Sequence, residues 1–361
     1  MMAESKKAET SLPWFSLAGQ NDDVVLSTKI RLSRNLADFP FPVKMTQDDM
    51  ERVNSLVYDA IQPDESFHFI DYKNIFSQGR QVLMDKNIVT DEKDFDCTAV
   101  ILNDDDSKNI LVNHVDHIRI SNFSSGFETE KTMSEIYKVD ELLQEKLQFA
   151  ASRDFGYLTS HIKDCGSGLK ISVRLFIPSI VLSGQFDSII SMVTEKKLCI
   201  SPVFQVSDSA NFSNFIFDLY PGNSSEGTEL DQVACITSIA TIILKTERKI
   251  RTTFADNNPT ILLNFVKRAY AKAMYSLLLT YEEAADIISV IKFGLQTGRV
   301  SGIQNQDLNA LYYRAKHGHI LYVNDNYAFS YEEDLKKDLS AQLQRLRAIV
   351  IQQAFEKLTV N

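Results

Sequence analysis

The sequence predicts an α+β fold: an antiparallel sheet flanked by helices, followed by an all-helical C-terminal module. Three observations carry that expectation. Short β-branched runs mixed with helical patterns occupy residues 21–222 without a regular strand–helix–strand period, which disfavours a doubly wound parallel sheet. Pro221, Gly222, Asn223, Ser224 and Ser225 then interrupt the pattern with turn formers. From Pro259 onward, apolar residues recur almost wholly at i, i+3, i+4 spacing.

Taken in order, residues 1–20 read as a disordered leader, polar and charged at its start and without the apolar core of a secretory signal. Val24, Val25 and Leu26 lead into Ser27, Thr28, Lys29, Ile30, Arg31, Leu32, Ser33, Arg34 and Asn35. In a strand, Lys29 and Arg31 project to one face while Ile30 and Leu32 enter the core. Two adjacent cations repel each other, and an anion such as a polyphosphate would reverse that; the alternative is a solvated strand face. Residues 46–61 form a helix with Met50, Val53, Leu56 and Val57 on one side. Strands are expected at 98–102, 109–115 and 117–121, with Asn103 and the run Asp104, Asp105, Asp106 making a hairpin turn. Helices follow at 133–151 and 185–195, strands at 170–177 and 214–219, and a long helix at 230–251. In the tail, helices are expected at 262–279, 281–297 and 331–357, with Thr280 and Ser330 as N-caps before acidic first turns. The domains are therefore drawn at 21–254 and 258–361.

With 361 residues, of which 44% are apolar and 24% charged, the chain can build two ordinary cores. A formal net charge of −10 argues against nucleic-acid binding and makes a local cluster of Lys and Arg stand out. The most apolar helical stretch, 236–244, is too short to span a membrane. Cys97, Cys165, Cys199 and Cys235 lie far apart, which suggests neither a zinc site nor a disulfide framework and points to a reducing cytoplasm.

Reading onward from Lys29 and Arg31, the chain resembles bacterial protein-arginine kinases of the ATP:guanido phosphotransferase (phosphagen kinase) superfamily. The family's opening motif, S-S/T-R-I/V-R-L-A/S-R-N, appears as Ser27 to Asn35 with Lys29 for the first arginine. Its N-E-E-D-H-I/L-R-I strand appears as Asn113, His114, Val115, Asp116, His117, Ile118, Arg119, Ile120. Gly156, Tyr157, Leu158, Thr159 and Ser160 precede the counterpart of the C-P-T-N-x-G-T-G-L-R-A-S-V loop. That loop runs here from His161 to Val173 and includes Gly166, Ser167, Gly168, Lys170, Ile171 and Ser172. The helical tail, including 286–302, is similar to that of the bacterial protein kinases.

The resemblance implies a phosphagen-kinase-like catalytic domain and a dimerising helical domain. It also implies ATP with Mg2+, phosphates held by about five arginines, and a glutamate that grips the guanidinium and takes its proton. Carried over residue by residue, the nucleotide- and phosphate-binding segment comprises Ser27, Thr28, Lys29, Ile30, Arg31, Arg119, Lys170, Ile171, Ser172, Val173 and Arg174. Lys29 and Lys170 replace arginines and lack the planar fork of donors. The family's fifth arginine belongs to an R-G-x-Y-G-E loop falling near 201–206, and no arginine lies between Arg174 and Arg248. Val115 stands at the catalytic glutamate, with Asp116 and Asp164 as possible substitutes. The family's E-K-H segment is Asp85, Lys86, Asn87, which loses a histidine expected near the nucleotide. Arg174 stands where small-molecule phosphagen kinases carry a base-contacting histidine and could stack on adenine.

Each retained residue also has a structural reading. Arg119 could pair with a carboxylate such as Asp105, and Asp116 and His117 could satisfy a turn or sheet edge. His114 and Asp116, on one strand face, lack a third ligand for a metal. Gly166, Ser167 and Gly168 could wrap a phosphate, though a glycine turn alone is weak. The family's phosphoarginine-sensing R-D-x-x-R-A motif falls best on Glu333 to Asp338, where its first arginine is acidic; a solvated helix face is the simpler reading.

The function expected from these residues is a protein-arginine-kinase-like protein with lost or strongly reduced phosphotransferase activity and a regulatory or scaffolding role in protein quality control. Its partners would be a paralogous active kinase, an adaptor protein or a protease–chaperone complex, and the chain would form a homodimer. The alternatives are an active diverged protein-arginine kinase, with another carboxylate in place of the missing one, and a nucleotide or phosphoarginine sensor without turnover.

Overall fold

A computed structural model describes residues 12–89, 99–204, 214–222 and 227–361. The first residues of the expected leader, Cys97, Gln205 and Val206 of the 201–206 segment, and Asn223 to Ser225 lie outside the described residues.

Alternation of apolar and polar residues builds the central sheet. Its strands are β1 (Val25–Arg34), β2 (Phe67–Asp71), β3 (Ala99–Asn103), β4 (Lys108–Val112) and β5 (Ile118–Ser125). After the short hairpin β6 (Ala151–Ser152) and β7 (Gly156–Tyr157) come β8 (Leu169–Phe176), β9 (Leu198–Pro202) and β10 (Ile216–Pro221). Eight of them form one sheet in the order β2-β3-β4-β5-β1-β8-β10-β9, and every neighbouring pair is antiparallel. Ile30, Leu32, Ile118, Ile120, Ile171 and Val173 lie on its buried face. They pack against α1 (Gln47–Ile61), α3 (Thr129–Gln144), α5 (Phe186–Glu195) and α6 (Glu229–Asn257). A further helix, α2 (Ser77–Asp85), and the short α4 (Pro178–Leu182) complete this part of the chain.

The C-terminal module comprises α7 (Pro259–Tyr275), α8 (Tyr281–Gln296), α9 (Asn305–Arg314), α10 (His317–Asn326) and α11 (Leu339–Ala354). Within it β11 (Val300–Ser301) pairs with β12 (Thr359–Val360). The module does not stand apart: Leu26, Phe176 and Ile216 of the sheet, with Phe215 just before β10, share a core with Val266, Ile288, Phe293 and Ile351. Thr46 and Thr280 cap their helices through reciprocal bonds with Asp49 and Glu283, as acidic first turns favour.

Several expectations need correction. Trp14 and Phe15, inside the expected disordered leader, are 5% and 8% exposed. The Trp14 ring stacks on Phe123 at 5.3 Å and Phe15 on Tyr313 at 4.5 Å, because two large aromatics in a polar stretch gain more from burial than the backbone loses in freedom. The strands expected at 109–115 and 117–121 are Lys108–Val112 and Ile118–Ser125, and 113–117 between them is a loop with Asn113 at φ 54°, so His114 and Asp116 share no strand face. The helix expected at 133–151 spans Thr129–Gln144 and gives way to β6. The helix expected from 331 begins at Leu339 with Asp338, not Ser330, as its cap. The segment aligned with the phosphoarginine-sensing motif is thus a series of turns before α11, in which Lys336 pairs with Glu333.

Candidate functional site

The sheet face opposite the α1–α3–α6 layer carries the cations. On β1, Ser27, Lys29, Arg31 and Ser33 alternate with Thr28, Ile30 and Leu32, and the latter point away from this face. Antiparallel register places Arg119 opposite Ser33, Lys170 opposite Arg31, Ser172 opposite Lys29 and Arg174 opposite Ser27. Five cations from three strands therefore line one strip. The sequence expectation for Lys29 and Arg31 holds in its geometry. Thr28, Ile30, Ile171 and Val173, carried over as part of the phosphate-binding segment, face the other way, and Ile30, Ile171 and Val173 belong to the apolar core.

A cleft of about 330 Å3 is lined by Arg31, Ser33, Val115, Asp116, Arg119, His161, Lys163, Asp164 and Lys170. Burial pushes Arg31 down from its ordinary value, against the pull of Asp164 and Asp116, and its Nε is buried with no hydrogen-bond partner among the described residues. Arg119 is pushed down to about 9, by burial first and then by Arg31. A guanidinium does not give up its proton under ordinary conditions, so these shifts measure electrostatic stress that a bound anion would relieve. Arg119 donates from Nη2 to the Ile88 carbonyl at 2.5 Å. Asp105, its suggested partner, accepts instead from Asn103 and the Ser107 amide in the β3–β4 hairpin, the turn expected there.

The carboxylates tell a different story. Val115 lies in the cleft wall, 36% exposed, with its carbonyl accepting from Ser160 Oγ at 2.6 Å. Asp116 Oδ1 accepts from Asn35 Nδ2 at 2.8 Å and from the Ser160 amide at 2.7 Å. His117 Nδ1 accepts from the Leu36 amide, and its own amide donates to Asn35 Oδ1, both at 2.9 Å. Asp116 and His117 thus stitch their loop to the end of β1, the structural role weighed for them. Asp164 Oδ2 pairs with Lys170 Nζ at 2.5 Å, while its Oδ1 is buried with no hydrogen-bond partner among the described residues.

Two neighbouring groups are also structural. Arg34 is fully buried and makes a two-pronged pair with Asp140, each bond 3.1 Å. The Ser167 carbonyl accepts from Arg34, and the Gly168 carbonyl accepts from the Ser33 amide. The glycine turn at 166–168, considered as a phosphate wrap, therefore holds β1 and Arg34 in place. Gly156 and Gly166 are needed where the chain crosses itself: a Cβ on Gly156 would sit 2.5 Å from the Gly166 oxygen.

Arg174 lines a second, more enclosed cavity of about 310 Å3 with Trp14, Phe15, Asn87, Tyr281 and Tyr313 among its walls. It makes a bidentate pair with Asp218 at 2.8 and 2.9 Å. Burial disfavours its charge, and Asp218 more than restores it, so Arg174 is raised. The guanidinium plane is held by that fork, which restricts stacking on a purine to whatever face Asp218 leaves open.

Lys29 lies between the two cavities, its amine 4.8 Å above the Phe123 ring and donating to the Asn87 carbonyl at 3.2 Å. Burial, then Arg119, Arg31 and Arg174, push it down to about 7. Sequence reasoning missed Asp218, Trp14, the carbonyls of Asn87 and Ile88, and the roof supplied by Tyr281, Tyr313 and Lys316. Asp218 had a faint signal, a lone acid in the alternating run Ile216, Phe217, Asp218, Leu219.

An antiparallel sheet flanked by helices, with a strip of strand-borne cations along one face, is of the phosphagen-kinase class of fold. The family model for ATP:guanido phosphotransferase, C-terminal catalytic domain, matches residues 49–250, and the chain belongs to that family. Lys29 and Arg31 precede the matched span. Curated relatives are protein-arginine kinases: the protein of Halothermothrix orenii is 25% identical, covering 90% of this chain and 93% of its own length. That of Symbiobacterium thermophilum is 28% identical, with 82% and 86% covered. Among solved structures, the duplicated taurocyamine kinase of Schistosoma mansoni aligns with a TM-score of 0.57 at 18% identity, covering 74% of this chain and 42% of that one. A lombricine kinase gives 0.56 at 15%, covering 69% and 74%. At these identities the structures support the fold alone.

Proposed function

We propose that this chain is a protein-arginine-kinase-like protein whose phosphotransferase activity is lost or strongly reduced, and which acts by binding in a regulatory or scaffolding role in protein quality control. The observation that carries the reading is Val115 in the cleft beside an Asp116 already committed to Asn35 and Ser160. With valine at the position of the family's glutamate and Oδ1 of Asp116 held by Asn35 and Ser160, the cleft lacks the carboxylate that would orient a guanidinium and accept its proton there, and loss of one such preorganised group commonly costs about 100-fold or more in rate. The remaining cations fit phosphate oxygens, so ATP with Mg2+ is the ligand to test. The partners suggested by family likeness are a motif-complete paralogue, an adaptor or a protease–chaperone complex in the cytoplasm. Homodimerisation through the helical module belongs to the same proposal.

The second reading, an active diverged protein-arginine kinase, is favoured by one observation: the Oδ1 of Asp164 in the same cleft, unpartnered among the described residues. The two separate in one assay. Purified protein with ATP, Mg2+ and an arginine-rich protein is expected to give no acid-labile phosphate, and Val115→Glu is expected not to restore it. Turnover that disappears in both Asp164→Asn and Arg119→Ala would overturn the first reading and establish the second. For a sensor without turnover, the expected sign is a thermal shift with millimolar ATP or phosphoarginine.

A further inference from the structure

The turn after α2 covers the cation strip from above. Asn87 has φ 55°, a left-handed conformation that asparagine tolerates better than most residues. It tightens the chain so that two successive carbonyls point at the sheet. The Asn87 oxygen accepts from Lys29 Nζ at 3.2 Å and the Ile88 oxygen from Arg119 Nη2 at 2.5 Å. Ile88 and Val89 anchor the turn in a small core with Tyr72, Leu83, Val100 and Leu111.

The same turn is fastened to the C-terminal module. Asp85 ends α2, and its Oδ2 accepts from the Gly318 amide at 2.6 Å, capping the start of α10. Lys316 Nζ donates to the Asp85 carbonyl. Gly318 sits directly against α2: a Cβ there would lie 2.7 Å from the Val82 nitrogen and 2.8 Å from the Gln81 carbonyl carbon.

We propose that residues 85–88 are a latch that places main-chain carbonyls where a polyphosphate would bind Lys29 and Arg119, held shut by α10 through Asp85 and Gly318. The inference rests on the reading of this face as a polyphosphate site. A carbonyl dipole satisfies a donor without supplying a negative charge, and the strip holds Lys29, Arg31 and Arg119 close enough that both arginines disfavour the charge on Lys29. A polyphosphate compensates those charges and so binds the open state far better than the latched one, which is what shifts a population. Any event on the helical module that moves α10 then opens or closes the site.

The test compares full-length protein with Gly318→Ala, which wedges α10 from α2, and Asp85→Ala, which removes the cap. Binding of sodium tripolyphosphate is measured by calorimetry, and amide exchange is followed at 86–89. The expected result is affinity raised about tenfold or more in both variants, as removing a closed-state population does, together with faster exchange at 86–89 in the wild type when tripolyphosphate is added. Equal affinity in all three proteins, with binding lost in Lys29→Met, would keep the polyphosphate reading and overturn the latch. No binding in any protein, while the variants exchange faster at 86–89, would remove the polyphosphate reading and the latch's ligand with it. If neither variant folds, unchanged wild-type exchange at 86–89 under saturating tripolyphosphate overturns the latch alone.

Discussion

Lys29 is the residue whose chemistry is most sensitive to its surroundings. Free lysine holds its proton to well above pH 10, whereas here burial and three arginines bring the value to about 7. A bound phosphate would push it back up. Tripolyphosphate binding should therefore take up protons near neutrality, and affinity should fall as the pH rises from about 6.5 to about 8.5, because the free protein increasingly presents a neutral amine. Calorimetry in buffers of different ionisation enthalpy reads the proton uptake directly. Lys29→Met should remove both the uptake and its share of the pH slope, and a slope unchanged by that substitution would refute the assignment. Val115 is legible from sequence alone at this scale, because its motif position says what chemistry is missing. That Oδ1 of Asp116 is already engaged is not legible, since Asn35 and Ser160, which donate to it, are 81 and 44 residues distant.

Among the elements, β1 follows its pattern closely: alternation predicts which side chains face the cleft, and antiparallel pairing on both sides keeps that alternation in register. The 3-10 turn at Trp14–Ser16 does the opposite, since nothing in its neighbourhood signals order. Its aromatics find partners on β5 and α9, which no local periodicity can announce. Trp14 is the single tryptophan of the chain, so its emission reports this contact. Phe15→Ala and Trp14→Ala should each destabilise the protein by about 3–5 kcal/mol, as truncation of a buried aromatic commonly does. In urea titrations the Phe15→Ala midpoint can be followed by tryptophan emission and the Trp14→Ala midpoint by circular dichroism. Wild-type midpoints in both would mean that the turn is not docked in solution. The delayed start of α11 has a related cause: 331–338 has helical spacing, yet Glu332 and Glu333 are used by Arg345 and Lys336 while Asp338 supplies the cap.

At the scale of the whole molecule, charged groups tie the segment before β1 both to α6 and to the helical module. Asp23 accepts from Arg248 and Arg251, and the Asp22 carbonyl accepts from Lys292, which also donates to Asn305 and to Asn309 at 2.8 Å. Burial brings Lys292 down to about 7 and Lys316 to about 8, in company with Lys29. An unfolded chain keeps those protons up to the ordinary lysine range, so above pH 7 it binds more protons than the folded one. Stability should then rise with pH between about 7 and about 9, by on the order of 2 kcal/mol for each lysine whose value is about 7. The window closes where the unfolded tyrosines begin to ionise, because Tyr281 and Tyr312 are raised in the fold. Urea midpoints across that range should climb in the wild type and climb less in Lys292→Met. A flat or falling profile would contradict the buried, depressed lysines.

By itself the sequence determined the class of fold, the side of β1 on which Lys29 and Arg31 stand, and the valine at the motif position of the family's glutamate. These are properties of local alternation and motif position, and both are carried by residue order. Only the tertiary structure decided what answers each cation: Asp218 for Arg174, Asp164 for Lys170, and the carbonyls of Asn87 and Ile88 for Lys29 and Arg119. Three of those four partners come from other segments of the chain, and two of the four are backbone atoms whose donors and acceptors every residue possesses. Residue identity therefore could not single them out. Their positions follow from strand register and from the seating of α10 against α2, which only the packed fold fixes.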